Sequence, residues 1–198
     1  MFACRHAPLI LPRDVERVLA AAYAEPHRAY HTIAHITELL RWFDIVADAV
    51  RWRDATAVYL AVLFHDAVYD PTRSDNEARS AALARDLVAA SPAVITLIER
   101  TARHADPDAT TDAVEDPDAA HFLDSDTAIL GAPPAQFDAY DAAIRVEYQH
   151  VAPDAYRAGR RAFLARMLAR PRLYVSDFFH ALLEDAARAN LARALAGL

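Results

Sequence analysis

Between Thr32 and Val50 apolar residues return alternately three and four positions apart, at Ile33, Ile36, Leu40, Phe43, Ala47 and Val50. That spacing draws one stripe along an α-helix and has no counterpart in a strand, whose faces alternate every second residue. The next segment, Asp54 to His65, carries Ala57, Val58, Leu60, Ala61, Val62, Leu63 and Phe64 and is apolar nearly all round. Such a helix belongs at the centre of a domain, with its end buried too. With 3 glycines in 198 residues and alanine concentrated in proline-free segments, composition favours helix throughout, because alanine loses no rotamer freedom there.

Pro12 and Asp14 open a helix to about Ala24, and Pro26 ends it. Ser74 and Glu77 fit a capping box for a helix over 75–89, while Ser91 and Pro92 supply the cap and first turn of one reaching His104. Residues 105–117, rich in Asp, Thr and Pro, read as an acidic surface loop. Helices are expected over 119–130, closed by Gly131, and over 134–148, 153–169 and 176–196. The sequence therefore predicts an all-α fold, a single compact multi-helix domain over residues 1–198, with no repeat and no linker.

A hydrophobic share of 55% and a charged share of 25% describe a globular chain. The net charge of -7 argues against general nucleic-acid binding, which needs a basic face to displace counterions from phosphates. Cys4 is the single cysteine, so no internal disulfide is possible, and no signal peptide or long uncharged apolar stretch is visible. A cytoplasmic protein without membrane association is the expectation.

Four residues carry unusual chemistry for their positions. Asp126 has Phe122 and Leu123 one turn before it and Ile129 and Leu130 one turn after it, which sets a carboxylate on an apolar face. A metal, an arginine or a set of hydrogen-bond donors would each satisfy it. Asp124 is assigned to the opposite face, where no partner is required. Asp66 stands at the end of the buried helix, where the partial negative charge of the C-terminus disfavours an anion unless a cation is near. Beside it, His65 offers an imidazole nitrogen, a common ligand for transition metals. His31 and His35 lie one turn apart and share a side of their helix.

The order His35, His65-Asp66, Asp126 resembles the signature of the HD superfamily of metal-dependent phosphohydrolases. The segments YHTIAHITELL, LFHDAVYDPTRSDNEARSA, FLDSDTAILG, IRVEY and ARANLARAL are similar to a bacterial family of predicted HD phosphohydrolases, over roughly residues 28 to 194. The resemblance implies an HD-type helical bundle and a divalent metal (Mn, Fe, Zn, Ni, Co or Mg) on His35, His65, Asp66 and Asp126. His35 is preferred to His31 because HD proteins place an aliphatic residue four positions on, here Leu39. His104 resembles the additional histidine of two-metal members, with a surface histidine as its alternative. His121, about 140 degrees around the helix from Asp126, is expected to face solvent.

These residues lead to an expected phosphoester hydrolase that uses metal-activated water on a small phosphorylated metabolite or nucleotide. Asp66 is the expected catalytic group and Glu77 a candidate acid or base, although its capping role already accounts for it. His31, Tyr69, Arg79, Arg103 and Arg145 are candidate substrate contacts, with Asp70 and Arg100 near the same motifs. Each arginine has an ion-pair alternative; for Arg145 it is Asp141, one turn earlier. Two rivals stand beside this reading: a non-catalytic metal-containing module that senses nucleotides or binds a partner, and a di-iron HD oxygenase. A homodimer is the candidate assembly.

Overall fold

The apolar segment from Ala57 to Phe64 is enclosed from end to end. The computed structural model describes residues 2–102 and 115–198, and its regular elements there are all helical. They are α1 (Arg13–Ala22), α2 (Ile33–Ala49), α3 (Ala55–Phe64), α4 (Asn76–Val88), α5 (Pro92–Thr101), α6 (Pro117–Thr127), a short 3-10 helix (Ala128–Gly131), α7 (Pro134–Glu147), α8 (Pro153–Ala169) and α9 (Asp177–Ala196). The all-α expectation is met. Among the described residues no helix is long and apolar enough to cross a membrane. The chain falls into two compact units, Met1–His104 and Ala105–Leu198.

In the first unit α3 is the axis. Every residue from Ala57 to Phe64 is buried, and α2, α4 and α5 pack around it. Its start is fixed by the Asp54 carboxylate, which accepts from Ala57 N at 2.9 Å. Thr32 caps α2 in the same way, accepting from Ala34 N at 3.3 Å. The turn between them is closed by Trp52, whose ring stacks on Phe43 and whose indole N–H donates to Phe43 O at 3.0 Å. Ser91 and Pro92 open α5 as expected, but that helix ends at Thr101. The Ser74–Glu77 capping box does not form. Asp75 occupies the cap position of α4 without a capping bond, because its carboxylate is drawn to the Arg73 guanidinium.

In the second unit two carboxylates hold the stretch that leads into α9. Asp124 accepts from Val175 N and Ser176 N, each at 2.8 Å, and from Ser176 Oγ at 2.6 Å. Glu184 accepts from Leu173 N and Tyr174 N and pairs with Arg188. Gly131 allows close approach: a Cβ there would stand 2.7 Å from the Leu183 Cβ. Asn190 secures the same corner by donating to Leu130 O and Ala132 O.

The placement of Asp124 corrects the sequence reading. Its residue is 2% exposed, whereas Asp126 is half-buried. The donors that meet Asp124, two backbone amides and the Ser176 hydroxyl, lie some fifty residues away in sequence, so hydrophobic periodicity does not register them. Burial raises its carboxyl to about 6 even though three donors pull the other way.

Asp124→Ala strands all three donors and should lower stability by roughly 2–4 kcal/mol, read as a shifted urea midpoint at unchanged m-value. A loss below about 0.5 kcal/mol would show that the stretch holds without its acceptor.

Candidate metal centre

Helices α2 and α3 bring two histidines together in the interior of the first unit. His35 lies in the first turn of α2, just after the Thr32 cap, and His65 closes α3. They are 5% and 1% exposed. Their Nε2 atoms face each other at 3.3 Å. Asp66, the next residue along, sets Oδ2 at 3.1 Å from His65 Nε2 and 3.6 Å from His35 Nε2. His65 Nδ1 lies 3.1 Å from Val62 O, the geometry in which Nδ1–H donates and Nε2 keeps its lone pair.

These separations can be compared with those between the ligands of a single ion. Atoms bonded at about 2.1 Å to one ion, and 90 to 109 degrees apart around it, stand about 3.0–3.4 Å from one another. The observed 3.1, 3.3 and 3.6 Å cluster around that range. Two imidazoles and a carboxylate, with no thiolate, form a donor set suited to a divalent transition ion that also keeps water.

Arg28, in the loop between α1 and α2, frames the group, and the sequence reading missed it. Its side chain is 0% exposed. One guanidinium nitrogen donates to both His31 O, at 3.0 Å, and Asp66 O, at 2.8 Å; the other terminal nitrogen donates to Ala67 O at 3.2 Å. Nε donates to Glu25 at 3.0 Å. The Tyr23 and Tyr69 rings lie 5.2 and 5.4 Å from the guanidinium carbon. A loop arginine beside Pro26 and His27 leaves no periodic signal in the sequence.

Aromatic rings continue from the pair. The His31 ring lies 5.8 Å from that of His35 and 4.4 Å from that of Tyr69, and the Tyr30 ring contacts both histidines. His27 adds to this series by stacking on Tyr69 and bonding to Tyr69 O. His31 and Tyr69 are half-buried beside the histidine pair.

Asp70 shapes its own loop: its carboxylate accepts from Thr72 N and Thr72 Oγ1, and its backbone exchanges two bonds with the Asn76 side chain. Ser80 pins the same loop through Val68 N and Val68 O. Glu77 is half-buried in the first turn of α4, Arg79 is exposed, and Arg100 is half-buried near the end of α5. Arg103, His104 and the acidic segment 105–114 lie outside the described residues.

Asp126 belongs to the second unit, half-buried on α6. Arg145 does not pair with Asp141. It holds the end of α7 by donating to Tyr148 O and Val151 O and lies over the Tyr156 ring, while Asp141 pairs with Arg160. His121 does not face solvent freely; half-buried, its ring lies near Phe178 and its Nδ1 near Pro117 O. No family model, curated protein or solved structure matches the chain.

Ser80→Ala leaves Val68 N without its acceptor and should weaken the loop by about 1 kcal/mol, speeding amide hydrogen exchange at Val68 about fivefold. Exchange at the parental rate would show that another contact fixes the loop.

Proposed function

We propose that the protein is a metal-dependent phosphohydrolase of the HD type, acting on a small phosphorylated metabolite or nucleotide. His35, His65 and Asp66 are the proposed metal ligands, and Asp126, the α6 carboxylate that the sequence groups with them, is the proposed fourth. One observation carries the reading: three donor atoms meet at ligand-to-ligand distances in the interior of the first unit. The 3.1 Å contact of His65 Nδ1 with Val62 O favours the tautomer protonated at Nδ1, the one that would leave Nε2 to a metal.

A bound divalent ion would supply Lewis acidity to a phosphoryl oxygen and to water near neutral pH. The chain supplies the rest. The imidazoles hold their positions through burial, and the Asp66 side chain, 17% exposed, would be the group to orient an attacking water. His31 and Tyr69 stand beside the pair as contacts for the phosphate-bearing group, and Glu77 is the candidate group for moving a proton to or from the substrate. Recognition of an anion must be local, since the net charge of -7 repels one at longer range.

Purified protein reconstituted with Mn, Fe, Zn, Ni or Co should bind about one ion per chain. His35→Ala and His65→Ala should each abolish that binding, as read by elemental analysis after gel filtration. A screen of phosphatase, phosphodiesterase and nucleotidase substrates should find turnover that requires the ion and disappears in Asp66→Ala. A folded parent that binds none of these metals would overturn the reading. Stoichiometric binding without turnover of any substrate would replace the hydrolase with the nucleotide-sensing module.

A further inference from the structure

We infer that Arg28 is the positioning residue of the metal centre: its guanidinium locks the backbone leading to His35 and the backbone carrying His65 and Asp66 at one fixed separation. This rests on the metal-binding reading above. His31 O precedes the first turn of α2, which holds His35, whereas Asp66 O and Ala67 O follow directly from the end of α3, which holds His65. Arg28 donates to all three carbonyls and, through Nε, to Glu25. Only arginine offers enough N–H donors in one rigid plane for that set; lysine has a single nitrogen and a flexible stem. The rings of Tyr23 and Tyr69 flank the guanidinium and keep that plane from turning.

Electrostatics and positioning predict opposite outcomes. Arg28 is a buried cation within hydrogen-bond reach of the Asp66 backbone, so charge alone opposes a second cation nearby and its removal should tighten metal binding. As a clamp, it holds the ligand atoms near their coordination distances, and its removal should loosen binding. The partial negative charge at the end of α3 accounts for a cation there, but not for a bond to His31 O on the other segment.

The experiment titrates cobalt(II) and manganese(II) into metal-free parent, Arg28→Gln, Arg28→Lys and Ser80→Ala, with folding checked by circular dichroism. Both Arg28 variants should bind about ten- to a hundredfold more weakly and show an altered visible cobalt spectrum, lysine failing to rescue arginine. Ser80→Ala loosens the same loop beyond the clamp; it should lose stability while keeping parental affinity and spectrum. Parental or tighter binding by a folded Arg28 variant overturns the inference while the metal reading stands. If Arg28→Gln does not fold, Arg28→Lys decides alone. A parent that binds neither ion overturns the metal reading itself, a distinct failure.

Discussion

The buried end of α3 is the constraint around which the first unit is organised. A helix that is apolar on every side must finish inside the protein, where its last carbonyls find no water and its dipole leaves partial negative charge. Two of the carbonyls just beyond that end, at Asp66 and Ala67, are met by the Arg28 guanidinium. The same side chain reaches His31 O and so ties the start of α2 to the end of α3. An unpaired guanidinium in the interior would cost several kcal/mol, which makes the loop, the helix end and the cation mutually dependent.

That enclosure also creates the chemistry. His65 is buried because the helix it closes is buried, and its Nδ1 is engaged by Val62 O, one turn back. Nε2 faces His35 Nε2 at 3.3 Å and Asp66 Oδ2 at 3.1 Å. In water such groups would be solvated separately; here they are packed within 3.1–3.6 Å of one another, and it is this juxtaposition on which the proposed metal site rests. Of the three, Asp66 is the most open, its side chain 17% exposed against 2% and 1% for the imidazoles.

How much of this was legible in the sequence differs from element to element. The stripe from Ile33 to Val50 and the apolar run after Asp54 set α2 and α3 within a residue or two, because burial writes itself into side-chain periodicity. Asp66 and His65 stand out because polar groups at the end of an apolar helix need an explanation, whereas His35 is distinguished from His31 only by the resemblance to HD proteins. Arg28 was missed since its partners are backbone carbonyls, which have no sequence signature. Asp124 was misassigned for the same reason: the amides of Val175 and Ser176 bury it. Arg145 was paired with Asp141 by helical spacing, yet Arg160, on the neighbouring helix, offers that carboxylate a more buried partner.

The proposed metal site can be tested by locating an ion directly. Crystals grown with manganese or cobalt, with diffraction recorded on both sides of the metal absorption edge, locate the ion by its anomalous scattering. The account predicts one strong peak about 2.0–2.3 Å from His35 Nε2, His65 Nε2 and an Asp66 carboxylate oxygen. A peak elsewhere on the protein, with a direct His35–His65 hydrogen bond and no ion between them, would contradict it.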